Sequence, residues 1–328
     1  VALVAKRLKC KATIVMPVTT PQIKIQAVEA YGADIILHGD SFDDAFNQAI
    51  KLATQKKLTF IPPYDDPDII AGQGTIGMEI LRQHTKPLHA VFVPIGGGGL
   101  ISGIAAYIKS LHPEIKIIGV EPADSNAMYL SLQKGRRVRL PQVGVFADGV
   151  AIKQVGKETF RLCRELVDEI ILVDTDAICA AIKDVFEDTR VMLEPSGALS
   201  IAGAKLYCSR EELRGKTMVA IASGANMNFD RLRHVSERAE IGEQREAVMS
   251  VTVPEEPGSF KKFCSMLGTK IITEFNYRYD DPKEARVFVG VSVRNRNETE
   301  KLIKLLEKNG LHTEDLSDNE MAKLHIRY

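Results

Sequence analysis

Residues 90–110 read AVFVPIGGGGLISGIAAYIKS, and no other stretch restricts the possible folds so tightly. Ala90–Ile95 is apolar without alternation, which marks a strand buried on both faces, and such strands belong to parallel sheets covered by helices on either side. Leu100–Ser110 has helical spacing, so the four glycines Gly96–Gly99 form the turn from strand to helix. A second buried run, Lys116–Val120, follows and ends at Glu121-Pro122. Strand, turn, helix and strand in this order make a βαβ unit.

The alternation extends in both directions. Upstream, Ala12–Met16 reads as a strand, Pro21–Tyr31 as a helix closed by Gly32, and Asp34–Leu37 as a strand. Ser41 caps a helix to about Lys57, Thr59–Ile61 is a short strand, and Pro62–Pro67 is a turn-rich loop before a helix near Gly74–Gln83. Downstream, 124–156 is loop and short helix with a turn at Asp148-Gly149-Val150. Glu158–Val167 and Asp176–Asp188 then read as helices around a strand at Glu169–Val173. Glu194-Pro195-Ser196-Gly197-Ala198 opens a further helix, and Thr217–Ala222 is a last buried strand ended by Ser223-Gly224-Ala225-Asn226. The expected class is α/β, with parallel sheets and helices on both faces.

After the charged stretch Ser236–Glu246 the order changes. Val248–Val253 is a strand, Ser259–Leu267 a helix, Ile271–Tyr279 and Ala285–Val293 strands around an Asp280-Asp281-Pro282 turn, Glu298–Asn309 a helix, and His312–Leu316 a strand. The order βαββαβ is that of a ferredoxin-like split unit. At about 150 residues per domain, 328 residues accommodate both parts.

Composition narrows the partners. With 43 basic and 43 acidic residues the formal net charge is zero, which leaves no electrostatic footprint for nucleic acid or an anionic membrane. No apolar run approaches the ~20 residues of a membrane span. The cysteines Cys10, Cys163, Cys179, Cys208 and Cys264 are odd in number and scattered, so neither a disulfide framework nor a zinc site is expected, and a reducing compartment fits. The seven histidines form no i, i+4 pair, and no metal site is expected. Small molecules and further copies of the chain are the expected partners.

A glycine run between a buried strand and a helix lets backbone N–H groups converge on an anion; the same run also serves as a tight turn needing positive φ. It is neither GxGxxG nor a P-loop, although Glu121 lies near where a dinucleotide site wants its ribose-binding acid. Ser223 stands at the carboxyl end of a buried strand, where its hydroxyl either hydrogen-bonds a ring nitrogen or caps the next segment. Glu121 and Glu194 read as solvated loop acids.

Gly96-Gly97-Gly98-Gly99-Leu100, Gly119-Val120-Glu121-Pro122, Ala147-Asp148-Gly149-Val150, Glu194-Pro195-Ser196-Gly197-Ala198 and Ser223-Gly224-Ala225-Asn226-Met227-Asn228 occur in that order. The set resembles the threonine/serine dehydratase branch of fold-type II pyridoxal-phosphate enzymes. Together with the C-terminal βαββαβ unit, which resembles an ACT-like regulatory domain, it is similar to the biosynthetic threonine ammonia-lyase family. Thr19-Thr20-Pro21-Gln22-Ile23-Lys24 and 223–230 resemble the plant forms, which implies a plastid location, the alternative being a cytoplasmic one.

The resemblance implies pyridoxal 5'-phosphate as cofactor. Gly96, Gly97, Gly98, Gly99 and Leu100 would hold its phosphate, and Ser223 would face the pyridine nitrogen. The implied reaction is β-elimination from L-threonine to 2-oxobutanoate and ammonia, the first step of isoleucine biosynthesis, in a homotetramer with isoleucine or valine as effector. A serine dehydratase or threonine synthase type of lyase, or a non-catalytic amino-acid sensor with its loop at Pro254–Phe260, are the alternatives. On this reading 1–57 are the remainder of a small catalytic subdomain, 58–235 a large one, 236–246 a connector and 247–328 the regulatory domain. The family's Ser-Phe/Tyr-Lys-x-Arg-Gly-Ala stretch, which carries the Schiff-base lysine, does not occur in these residues. It is expected upstream of Val1, so no catalytic residue is assigned, the chain alone is expected to be inactive, and 328 is expected to be a fragment's length. The racemase-type cation site would pair Glu121 with an acid where Ala127 stands, so no metal is assigned.

Overall fold

The structure, a computed structural model, describes residues 1–243, 245–279, 282–319 and 321. It divides into two compact units, Val1–Arg233 and His234–Tyr328.

In the first unit α1 (Ala2–Leu8), β1 (Thr13–Met16), α2 (Gln22–Ala30), β2 (Asp34–Leu37) and α3 (Phe42–Lys56) come first, with β1 and β2 paired in parallel. Ser41 starts α3 through a reciprocal capping box with Asp44. Then follow α4 (Pro67–Gln83), β3 (Ala90–Pro94), α5 (Gly99–Leu111), β4 (Lys116–Pro122), α6 (Ala127–Gln133), α7 (Lys157–Leu166), β5 (Glu169–Val173), α8 (Thr175–Thr189), α9 (Pro195–Arg210) and β6 (Met218–Ala220). The strands lie in the order β5-β4-β3-β6, all parallel.

Burial explains the unalternating sequence of β3, because every one of its residues is buried. Val91, Val93 and Ile95 join the cluster of Ile101, Ile104 and Ile108 from α5. On the opposite face Phe92 meets Tyr207 of α9 edge-on, with ring centroids 5.4 Å apart. At about 1.5–3 kcal/mol per large apolar side chain removed from water, this layer is the main stabilising element of the unit.

Two expectations change here. Thr59–Ile61 is not a strand, because those residues pair with no neighbour in a ladder. Helix α4 begins at Pro67 rather than near Gly74: the Asp66 carboxylate accepts the amides of Asp68 and Ile69 at 2.9 and 3.3 Å, and Pro67 fits the first helical position.

In the second unit α10 (Leu232–Gly242), whose first turn contains the division, leads into β7 (Glu246–Pro254), α11 (Ser259–Leu267), β8 (Ile272–Tyr279), β9 (Glu284–Ser292), α12 (Arg296–Lys308) and β10 (Thr313–Asp315). The antiparallel sheet has the order β10-β7-β9-β8. Met249, Val251 and Val253 pack beneath Phe263 and Leu267 of α11 and Leu302 and Leu306 of α12. Strand β8 is one of the two edges, and Phe275, Tyr277 and Tyr279 stand 38%, 42% and 61% exposed along it. Asp280 and Asp281 of the expected turn lie outside the described residues.

Candidate active site

The separated motifs of the first unit meet at the carboxyl ends of its parallel strands, the edge where open α/β sheets bind ligands. The glycine turn leaves β3 there. Among its four residues only Gly98 has a positive φ, 93°, and it is the N-cap of α5. Gly97 is required for a different reason, since a Cβ there would collide with the Tyr64 ring. The first amides of α5 have no partner within the helix, and no cap side chain takes them up. They converge with the helix dipole on one spot, a donor set suited to a phosphate.

Ser223 follows β6. It caps no helix: the next turn begins at Phe229, with Asn228 as its N-cap. Its hydroxyl donates to the Ser196 carbonyl at 3.4 Å, and the Glu194 amide donates to the Gly224 carbonyl at 3.2 Å. The Ser196 Oγ lies against Gly149, and Gly96 backs onto the Val150 backbone. The Ser196 hydroxyl is buried and has no hydrogen-bond partner, so the interior at this point presents a polar group for which the protein itself supplies no counterpart. An uncapped helix start for an anion, Ser223 at the strand edge and an unpaired buried hydroxyl together fit a phosphorylated, ring-nitrogen-bearing cofactor.

Neither glutamate is a solvated loop acid. Glu121 is 1% exposed, and its carboxylate accepts the amides of Met128 and Tyr129, each at 2.8 Å, in the first turn of α6. Burial pushes this carboxyl up to about 8, against the pull of the two amides. Its commitment to α6 removes it from the ribose-binding role of a dinucleotide site. Glu194 has its side chain only 12% exposed, 3.6 Å from the Lys24 ammonium, an ion-pair distance too long for a hydrogen bond.

Lys24, on α2, also donates to Asp148 at 3.2 Å. Arg231 stands 3.8 Å from the other oxygen of Asp148 and donates to the Phe146 carbonyl at 2.9 Å. Two cations and two carboxylates thus gather beside a small pocket lined by Pro21, Asp148, Pro195, Asn226, Asn228 and Arg231. Sequence reasoning gave Lys24 and Arg231 no role; their partners lie 124 and 83 positions away, and no local pattern reports such a pairing.

Two further residues shape the glycine turn. The Tyr64 ring covers Gly97 and its hydroxyl donates to the Gln154 carbonyl at 3.4 Å; burial, then the neighbouring Asp65 carboxylate, raises its pKa and keeps the phenol a neutral donor. Thr159 of α7 donates to the Gly97 carbonyl at 2.7 Å.

Comparison with known proteins identifies the family. Residues 1–224 match the family model of the pyridoxal-phosphate dependent enzymes, and residues 237–326 match that of the C-terminal regulatory domain of threonine dehydratase. The biosynthetic L-threonine dehydratase of Burkholderia multivorans is 59% identical over the whole chain, which covers 65% of that protein. The chloroplastic biosynthetic threonine dehydratase of Arabidopsis thaliana is 58% identical, with 55% of it covered. Plastid and bacterial relatives are thus equally near, and the chain spans between about half and two thirds of their length. Among solved structures, the processed threonine deaminase isoform 2 of Solanum lycopersicum aligns with a TM-score of 0.71 at 54% identity, covering 73% of this chain and 66% of that one. Maize serine racemase aligns with 0.66 at 33% identity, covering 72% of each. The chain belongs to the pyridoxal-phosphate-dependent enzyme family, and over its full length it is similar to the biosynthetic threonine dehydratases.

Proposed function

We propose that the protein of which these residues are part deaminates L-threonine to 2-oxobutanoate and ammonia with pyridoxal phosphate, at the entry to isoleucine biosynthesis. The observation that carries the reading is the convergence of the uncapped α5 start, Ser223 and the buried Ser196 hydroxyl at one sheet edge. The amides of Gly96, Gly97, Gly98, Gly99 and Leu100 are the proposed holders of the phosphate, and Ser223 that of the ring nitrogen. Bound there, the cofactor supplies the electron sink for cleavage at the substrate's Cα.

The chain's own residues do the rest of what can be derived. The α5 dipole stabilises negative charge at its N-terminus. A hydroxyl at Ser223 is too weak an acid to protonate a pyridine nitrogen fully, which tempers the sink and favours loss of the β-hydroxyl over transamination or racemisation. Lys24 and Arg231, paired with Asp148 and Glu194, hold α2 and the segment after β6 against the same edge.

The second unit supports an effector role for isoleucine or valine by its match to the dehydratase regulatory domain. Assembly as a homotetramer and a plastid location for the plant-like form belong to the same proposal, the first supported by the exposed aromatic edge at β8. Domain limits of 1–57, 58–235, 236–246 and 247–328 are likewise part of it.

The test is equilibrium dialysis of pyridoxal phosphate against the full-length protein and its Ser223→Ala variant, with 2-oxobutanoate release from L-threonine measured alongside. Saturable binding weakened in the variant, together with turnover, is expected. Binding without turnover of threonine or serine favours the amino-acid sensor, and absence of binding overturns the reading.

A further inference from the structure

We infer that Thr159 and Asp65 are positioning residues for the phosphate cradle and act on it through the peptide bond between Gly97 and Gly98. The inference rests on the cofactor reading above and concerns how the donors are aimed.

In a trans peptide the carbonyl of one residue and the N–H of the next point in opposite directions. The Gly97 carbonyl is held on the α7 side by two donors, the Thr159 hydroxyl at 2.7 Å and the Gly156 amide at 3.4 Å. The Gly98 N–H is therefore turned to the other side, away from α7. Without this tether the plane between two glycines is among the easiest in any chain to rotate, because neither residue has a side chain to resist it. Rotation would turn the carbonyl oxygen, and its negative end, toward the anion.

Thr159 is itself fixed from a distance. It occupies the third position of α7, whose N-cap is Gly156 and lacks any capping side chain. The cap comes instead from Asp65, which accepts the amides of Lys157 at 2.7 Å, Glu158 at 2.9 Å and Thr159 at 3.3 Å. Asp65 thus sets where α7 begins, α7 sets where the Thr159 hydroxyl stands, and the hydroxyl sets the orientation of the peptide. Thr159 is fully buried, so its hydroxyl competes with no solvent for the Gly97 oxygen.

A hydroxyl that merely fills space would matter equally for any ligand at this edge. A hydroxyl that aims the cradle matters only for ligands carrying a phosphate. Equilibrium dialysis of the full chain with pyridoxal phosphate and with pyridoxal separates the two, with inorganic phosphate as competitor. Thr159→Val keeps the shape and removes the donor. It is expected to weaken pyridoxal phosphate by about tenfold and raise the competing phosphate concentration alike, while pyridoxal changes by less than about twofold. Thr159→Ser, which keeps the donor, is expected to bind as the parent does. Asp65→Asn is expected to move affinity in the same direction by less.

Equal loss for both ligands in Thr159→Val, no loss for either, or a Thr159→Ser variant that behaves like Thr159→Val would each overturn the inference. The cofactor reading has its own readout in the unsubstituted chain: if that chain prefers pyridoxal phosphate to pyridoxal, a failure in the variants falls on the positioning role alone.

Discussion

The two four-stranded sheets put the same number of strands to different uses. In the parallel sheet every strand ends at one edge, so the glycine turn after β3, Glu121 at the end of β4 and Ser223 after β6 are brought together by topology alone. In the antiparallel sheet successive strands run opposite ways, and no edge collects their ends. The candidate site residues collect on the first. The second instead leaves an edge strand, β8, with aromatic side chains in the open, which suits contact with other groups. Helical cover follows the same division, since β3 is buried throughout whereas most of β8 is exposed and only Phe260 of α11 lies against its Phe275 and Tyr277.

The contrast is most exposed to failure at Phe92. Phe92→Ala takes a ring from the doubly covered β3 and from its edge-on contact with Tyr207, and should cost about 3–5 kcal/mol in urea unfolding. A cost under about 1 kcal/mol would mean that the parallel sheet is not the rigid member of the pair.

A smaller effect is expected at the carboxyl end of β4. The folded state raises the Glu121 carboxyl to about 8, while in the unfolded chain it titrates near the ordinary 4.5. Between those values the folded chain keeps a proton that the unfolded chain has released. Stability therefore falls as pH rises through the window, by at most about 1.4 kcal/mol per pH unit. In Glu121→Gln this part of the slope should vanish, as urea midpoints at about pH 5 and about pH 7.5 would report. If the slope persists unchanged, the two helix amides hold the group ionised after all.

The smallest effect belongs to the open edge. Phe275→Ala on β8 removes an edge-on contact with Phe260, 5.5 Å between centroids, and should cost about 1 kcal/mol or less in the same unfolding measurement. A loss comparable to that at Phe92 would show that β8 is covered in solution.

Much of this was legible along the chain because it is local. Buried strands such as β3 and β4 announce themselves by unbroken apolar runs, and the order βαββαβ after residue 246 does so by alternation. The start of α4 was hidden, since Pro62–Pro67 has the composition of a loop while Asp66-Pro67 is also a helix start; turn chemistry and cap chemistry draw on the same residues. Glu121 looked solvated because Glu-Pro at a strand end is ordinarily exposed, and only the approach of α6 buries it. The pairing of Lys24 with Asp148 and the tether from Thr159 to Gly97 join distant segments, and a side chain's partner across such a span leaves no periodicity to read.

Tyr64, Asp65 and Asp66 are consecutive, and each is committed to a different helix: the ring lies against the turn that opens α5, and the two carboxylates cap α7 and α4. Irregular segments are ordinarily where a chain absorbs insertions and deletions. Here a single added or missing residue would slide at least one of the three side chains off its helix. This loop of no regular secondary structure has as little freedom of length as a strand in the middle of a sheet.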